Sequence, residues 1–271
     1  WQWVKFADAE KQLNKFAQKT WIPIVSTLLA KWVIREDYEN YLWMWWMHWF
    51  YHANLAMYNA DLIINIGSRF DDRLVWTYKS FKENGKKIIH VDIDRWELNK
   101  VVKADIWVHA DGKEFLNKIL KKDIKELKIN DWKKQINTWK IQKPFQEKTD
   151  IFSTKNALNT IRDLTENNLD RFIFTTDWWQ SQMWCSQILK VSSTKHWLTS
   201  WGAWTMWFSI PTSMWAAISN PDKTIINVVW DWWVQMNIQE LQVLAYHNLD
   251  VKVIIMNNSY LWMVRQWQDL F

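Results

Sequence analysis

Asp231 and Asn258 stand 27 residues apart, each shortly after an apolar run, residues 224–229 and 251–256, and such runs read as buried parallel strands. The stretch between them, VQMNIQELQVLAYHNLD, reads as one amphipathic helix. A helical crossover of this kind brings the carboxyl ends of neighbouring parallel strands together, so the two side chains are expected to converge. A carboxylate, an amide oxygen and a nearby backbone carbonyl form an oxygen donor set suited to Mg²⁺, which completes its octahedron with phosphate oxygens and water. A helix-capping aspartate and a turn-forming asparagine would use the same residue types for structure alone. In the first half of the chain, the strand ends carry Ser68-Arg69-Phe70-Asp71-Asp72-Arg73, Asp92-Ile93-Asp94 and Ala110-Asp111-Gly112. Arginines there suit phosphate, and acids suit ribose hydroxyls.

These residues need elements that place them at one edge of a sheet. Up to about residue 125 the chain alternates helix and short apolar strand, with a helix over 7–20, a strand over 22–26, a helix near 53–59, and strands over 61–66 and 87–92. A lysine-rich segment, 126–150, reads as a solvated helix and linker. A second α/β unit, 151–271, has strands at 171–175, 224–229 and 251–256. The expected fold class is α/β, with two doubly wound parallel-sheet domains. The formal charge of +5 comes mostly from interleaved lysines, without the aromatic platform or arginine cluster of a nucleic-acid surface. One cysteine, Cys185, excludes an internal disulfide and fits a reducing cytoplasm. His48 and His52 are spaced i, i+4 but lack a third ligand, so they read as a coincidence of helix spacing. No secretory start or membrane span is expected. The chain opens without methionine at what reads as a Gly-rich strand exit, 1–4, and stops inside an expected helix, as a fragment would.

Composition then changes the reading of every loop. The chain holds 26 tryptophans and 4 glycines, against an average glycine usage of about 7%. Many of the tryptophans stand where a chain needs glycine. Trp230-Asp231-Trp232-Trp233 follows a buried strand, where Gly-Asp-Gly-Gly would let backbone N–H groups close on phosphate oxygens and indoles would not. A few bacterial lineages read UGA as glycine where other codes read tryptophan, and such a recoding accounts for the pattern. Glycine is expected at Trp21, Trp46, Trp49, Trp179, Trp201, Trp204, Trp207, Trp215, Trp230, Trp232, Trp233 and Trp262. With glycine also at Trp43 and Trp45, the stretch YLWMWWMHWF becomes a Gly/Met loop. Trp184, Trp197, Trp267, Trp132 and Trp139 are read as true tryptophans.

With glycine at 230 and 232, the segment from Asp231 to Asn257-Asn258 resembles the cofactor motif of the thiamine-diphosphate enzymes. The segments WDWWVQMNIQEL, VKVIIMNNSYLWMVRQWQDLF, HWLTSWGAWTMWF and SRFDDR are similar, more closely, to the catalytic large subunit of the acetohydroxyacid synthase (acetolactate synthase) family, and the likeness extends over nearly the whole chain. It implies a central FAD-binding domain and a C-terminal thiamine-diphosphate-binding domain. Asp231, Asn258 and the Tyr260 carbonyl would hold Mg²⁺. Gln180, Ser181 and the backbone at Trp204, Trp230, Trp232 and Trp233 would lie at thiamine diphosphate. The family has Gly-Gln-His-Gln where this chain has Trp179-Gln180-Ser181-Gln182, so the histidine contact has no counterpart. Met206 would pack on the cofactor, and Met263 and Trp267 would line the substrate channel. Met47, His48, Arg69, Asp71, Arg73, Asp92 and Asp111 would line FAD.

The resemblance further implies decarboxylation of pyruvate and carboligation to a second 2-oxo acid, pyruvate or 2-oxobutyrate, on the route to branched-chain amino acids. It implies a homodimer or higher oligomer with its site between subunits, a regulatory small subunit, and neither a nucleic-acid nor a membrane partner. The activating glutamate belongs to a pyrimidine-binding domain that this sequence does not contain, so the chain alone is expected to be inactive. Another thiamine-diphosphate decarboxylase or oxidase is the alternative within the same chemistry. A non-catalytic relic is the alternative if the tryptophans are real.

Overall fold

The structure, a computed structural model, describes residues 2–35, 38–45, 50–71, 74–75, 77–82, 85–124, 127–143, 153–178, 180–200, 205–261, 264–265 and 268–269. It divides into two compact units, Trp1–Gln146 and Glu147–Phe271. Every strand pairing in both units is parallel, as runs apolar on both faces require.

The first unit runs through helices α1 (Gln2–Phe6) and α2 (Glu10–Thr20), strands β1 (Ile24–Ser26) and β2 (Tyr41–Met44), helix α3 (Tyr51–Asn59), strand β3 (Leu62–Ile66) and helix α4 (Tyr78–Lys82). Strands β4 (Lys87–Asp92) and β5 (Ile106–His109) follow, then helices α5 (Gly112–Leu120) and α6 (Asn130–Gln142). Leu13, Phe16 and Ala17 fall on one face of α2 and pack with Ile24, Ile66, Val91 and Leu116 in one core. Asp111 caps α5 by accepting from the Lys113 and Glu114 N–H groups, a contact worth about 1 kcal/mol. The strands form two sheets, β1-β2 and β3-β4-β5, rather than the single expected one.

In the second unit α7 (Thr154–Thr165), capped by Ser153, leads to β6 (Phe172–Thr176), α8 (Gln180–Ile188), β7 (Trp197–Thr199) and α9 (Ser209–Ser219). Strand β8 (Thr224–Trp230), helices α10 (Asp231–Met236) and α11 (Glu240–Tyr246) and strand β9 (Val251–Met256) complete it. The sheet order is β7-β6-β8-β9, and all seven residues of β8 are buried. Cys185 is buried on α8. Among the described residues no helix is long and apolar enough to cross a membrane.

Four expectations change. Residues 2–6 are helical, not a strand exit. The helix expected from residue 7 breaks at Asp8, whose φ is 47°, and resumes at Glu10. The expected Gly/Met loop begins as a strand, because Tyr41–Met44 pairs with β1. The single helix between Asp231 and Asn258 is two helices: Asn237 leaves helical geometry (φ −132°, ψ 32°) while its side-chain amide donates to the Trp207 carbonyl at 3.0 Å, the local competition that makes asparagine a poor helix-interior residue. Within the segment read as a linker, α6 belongs to the first unit and buries Ile136.

Backbone geometry bears on the tryptophans. Among the described residues nine other than glycine have positive φ, and four of them are Trp21, Trp32, Trp43 and Trp207. A left-handed conformation costs a residue with a Cβ roughly 1–2 kcal/mol, and for an aromatic it is a true outlier. Trp21 ends α2 at φ 56°, ψ 14°, its N–H donating to the Ala17 carbonyl, the position helices most often give to glycine. Its ring is half-exposed and gains only an exposed contact with the Lys133 ammonium, 5.0 Å from the ring centre. Trp21→Gly is therefore expected to stabilise the first unit by about 1 kcal/mol, read as a higher denaturation midpoint with an unchanged slope. A lower midpoint would show that the indole, not the backbone, governs this helix end.

Candidate functional site

Strand β6 connects onward to β7 on one side and β8 to β9 on the other. The chain thus diverges at the carboxyl ends of β6 and β8, and open parallel sheets bind ligands in the crevice at such a point. Residues 177–180 and 230–233 follow these two strands, and 200–208 and 257–260 follow the outer two.

The pairing of Trp230 with Met256 sets Asp231 beside the Asn257-Asn258 turn. Asp231 Oδ2 accepts from the Ser259 N–H at 3.0 Å. Ser259 holds φ 57°, and its N–H and hydroxyl also donate to Asn257 Oδ1 at 3.0 and 3.3 Å. Asn258 Oδ1 accepts from the Tyr260 N–H at 3.1 Å, which leaves a second lone pair on that oxygen. Asp231 Oδ1 is buried with no hydrogen-bond partner. An unsatisfied buried acceptor costs about 1–3 kcal/mol, and more when it is charged. One carboxylate oxygen is therefore anchored, and the other could accept a cation. Among the described residues no group of three His, Cys, Asp or Glu side chains could hold a metal, so an ion here would draw on amide and carbonyl oxygens, as Mg²⁺ does.

The indoles around this carboxylate do not suit their places. Trp230 and Trp233 are buried, and the Trp230 Nε1–H has no acceptor. Trp232 is half-exposed. Glycine at these positions would leave the N–H groups at the start of α10 open to close approach by a phosphate.

Across the crevice Asp177, which the sequence reading did not single out, carries much of the order. It is fully buried; Oδ1 accepts from the Phe208 N–H at 3.0 Å and Oδ2 from the Ser209 hydroxyl at 2.8 Å. The end of β6 is thereby tied to the start of α9 and to the turn bearing Met206. Burial raises its pKa to about 6, and the Ser209 and Phe208 bonds only partly oppose that. The available signal was an aspartate closing the apolar run Phe172–Thr176. With the folded pKa above the unfolded value, the contribution to stability is full below about pH 4 and is lost as pH rises through 6. Asp177→Asn is expected to remove that dependence, so the gap between variant and wild type should change by roughly 2 kcal/mol between pH 4 and 6.5. Parallel pH profiles of the two denaturation midpoints would rule out an ionising Asp177.

Ser181 is buried with its hydroxyl donating to the Asp177 carbonyl at 2.7 Å, turned into its own helix. Gln180, at the first turn of α8, is partly exposed. Gln182 donates to the Thr199 hydroxyl at 2.7 Å and the Ser200 carbonyl at 2.6 Å, and its Oε1 is buried without a partner. Met206 is partly buried beside left-handed Trp207. Trp204, Met263 and Trp267 lie outside the described residues.

In the first unit Arg69, Asp71, Asp92 and Asp111 lie at or just after the carboxyl ends of β3, β4 and β5. Arg69 lies 3.9 Å from Asp71, and Asp71 accepts from the Leu74 N–H. Asp92 is buried and accepts from the Asp94 N–H at 2.9 Å. Burial pushes its carboxyl up, opposed by that bond. Asp111 is occupied as the cap of α5. His52, buried on α3, has its pKa lowered to about 4 by burial, with Lys140 adding to the effect. Met47, His48 and Arg73 lie outside the described residues.

Comparison with known proteins finds a match within each unit. Residues 2–119 match the family described as thiamine pyrophosphate enzyme, central domain, and residues 178–271 match thiamine pyrophosphate enzyme, C-terminal TPP binding domain. The chain is 38% identical over 268 residues to an acetolactate synthase large subunit of Lactococcus lactis, covering 99% of this chain and 46% of that protein. It is 36% identical over 272 residues to an acetolactate synthase large subunit of Porphyra purpurea, covering 98% and 45%. To a chloroplastic acetolactate synthase of Arabidopsis thaliana it is 33% identical over 271 residues, covering 97% and 40%. The chain thus spans under half the length of these relatives. With an anchored aspartate and an Asn-Asn turn at the point where its second sheet diverges, it belongs to the thiamine pyrophosphate enzymes, of which it carries the central and the C-terminal, cofactor-binding domain.

Proposed function

We propose that the complete protein is an acetolactate synthase, which decarboxylates pyruvate and joins the two-carbon unit to a second pyruvate or to 2-oxobutyrate, giving 2-acetolactate or 2-aceto-2-hydroxybutyrate. The observation that carries the site is the unpartnered, buried Asp231 Oδ1 beside the Asn257-Asn258 turn. The substrate reading draws on relatives named acetolactate synthase along nearly the whole chain. Thiamine diphosphate, when bound, supplies the electron sink for decarboxylation.

The residues of this chain bind, orient and exclude water. Asp231, Asn258 and the Tyr260 carbonyl would hold Mg²⁺ at the diphosphate; Gln180 and backbone N–H groups at 181, 204, 230, 232 and 233 would receive it, the Ser181 hydroxyl being committed to the Asp177 carbonyl. Met206 packs on the cofactor from a turn fixed by Asp177, while Met263 and Trp267 border the substrate. The central domain holds FAD between Met47, His48, Arg69, Asp71 and Arg73, with Asp92 and Asp111 at its polar groups. A dimer or larger assembly completes the site with a pyrimidine-binding domain, a small subunit regulates it, and the enzyme works in the cytoplasm.

The test is product identity. The complete protein, supplied with pyruvate, thiamine diphosphate and Mg²⁺, is expected to release 2-acetolactate, and with added 2-oxobutyrate the mixed product as well. Acetaldehyde or acetate as the sole product would assign it to the decarboxylases or oxidases instead.

A further inference from the structure

Ile64 and Ile66 of β3 and Ile89 and Val91 of β4 pack into the core shared with α1, α2 and α5. Side chains alternate along a strand, so Asn65, His90 and Asp92 turn to the opposite face, where Asn65 and His90 are register partners. All three are buried. The His90 ring meets the Phe70 ring edge-on, with centroids 5.2 Å apart, and neither of its nitrogens has a hydrogen-bond partner. Burial lowers its pKa to about 4, opposed by the Ser68 backbone and Glu97, so at pH 7 the ring is neutral and carries one N–H. A buried imidazole with both nitrogens unmet calls for a reason.

Two turns at the carboxyl edge of the sheet supply one. Asp92 Oδ2 lies 3.9 Å from His90 Nε2, about 1 Å beyond hydrogen-bonding range. The other oxygen, Oδ1, accepts from the Asp94 N–H at 2.9 Å, which shapes the turn over 92–94 and leaves Ile93 exposed. His109, the register partner of Asp92 on β5, is engaged elsewhere, because its Nε2 donates to the Ile93 carbonyl at 2.9 Å. On the other side, Phe70 belongs to the turn after β3. It is buried with a φ of 53°, a conformation that an aromatic keeps only where its surroundings hold it. Asn65 fixes the same turn by donating to the Ser68 carbonyl at 2.5 Å, and the adjoining Arg69 side chain is 53% exposed. His90 thus touches the turn bearing Arg69 and Asp71 through Phe70, and faces the turn over 92–94 through Asp92.

We propose that His90 is a positioning residue for the flavin nucleotide: in the loaded protein its neutral ring, seated against Phe70, donates Nε2–H to Asp92 Oδ2 and so ties the two turns together beneath the ligand without touching it. The inference rests on the reading that this edge holds FAD. A dinucleotide that spans both turns orders them, and hydrogen bonds that are long in an unloaded site tighten when the ligand arrives. Closing the pair gives His90 a partner and gives the buried Asp92 carboxylate a second donor, so the contact favours the loaded edge over the open one.

FAD titration of the complete protein and two variants tests this. His90→Leu keeps much of the bulk but cannot donate, and His90→Gln keeps an N–H at similar reach. The leucine variant is expected to bind FAD about tenfold more weakly, the worth of one buried bond to a carboxylate, while the glutamine variant binds close to the unaltered protein. Because leucine also removes two unmet nitrogens, the FAD-free leucine variant should unfold at an equal or higher denaturant midpoint. A purely structural ring would instead show as a lower midpoint with unchanged FAD affinity. Unweakened FAD binding by the leucine variant, or equal weakening in both variants, overturns the inference and leaves the FAD reading standing. No FAD binding by the unaltered protein overturns both. A second measurement needs no substitution: deuterium exchange at the His90 ring carbon between its nitrogens, followed across pH by mass spectrometry, gives the ring's titration midpoint. FAD should raise that midpoint, since a carboxylate at bonding distance favours the charged ring, and an unmoved midpoint overturns the inference.

Discussion

Alanine at position 231 of the complete, glycine-bearing protein is expected to abolish Mg²⁺-dependent binding of thiamine diphosphate while leaving FAD binding intact. Two effects add. The cation loses its carboxylate, and the diphosphate then meets the protein without the charge that bridges them. The Ser259 N–H loses one of its two acceptors and keeps only Asn257 Oδ1, which loosens the tie between the start of α10 and the turn that carries Asn258 and the Tyr260 carbonyl. Removing groups that merely orient metal ligands costs about 10–100-fold in affinity, so loss of a ligand itself should exceed about a hundredfold. Titrating each cofactor separately reads the result. Unchanged thiamine diphosphate affinity would refute the metal assignment, and parallel loss of FAD would indicate general unfolding.

The second large effect concerns the tryptophans. A protein made with indoles at 230, 232 and 233 is expected to bind no thiamine diphosphate at all, and glycine at these three positions should restore binding. Trp230 and Trp233 are buried and Trp232 is half-exposed, and bulky side chains at all three positions oppose the close backbone approach to a phosphate that glycine allows. Glycine at 230 also removes an indole N–H that has no acceptor, an unmet group costing about 1–3 kcal/mol. Binding by the tryptophan form with comparable affinity would mean that the diphosphate sits elsewhere.

The second unit was the more legible in sequence. Thr224–Trp230 and Val251–Met256 announce themselves because a strand buried on both faces is an uninterrupted apolar run, and their pairing follows from the length between them. The three-residue β7 is too short for any periodicity, and the split at Asn237 depends on a bond to Trp207, far away in sequence. Asp177 was passed over for a related reason: a single aspartate after a strand looks like any turn, and only folding brings Phe208 and Ser209 to it. In the first unit, residues 1–4 read as a strand exit, but Gln2–Phe6 folds as a helix. The division of the first unit's strands into two sheets is a property of strand edges and not of any one segment, so no local pattern shows it.

Mass spectrometry of the peptide covering residues 229–235 from the native protein is the most direct measurement, because a phosphate-and-metal loop around Asp231 requires small residues on both sides of it. Glycine at 230, 232 and 233 is the expected result. Intact tryptophan at these positions would contradict the assignment of this turn to thiamine diphosphate and its Mg²⁺.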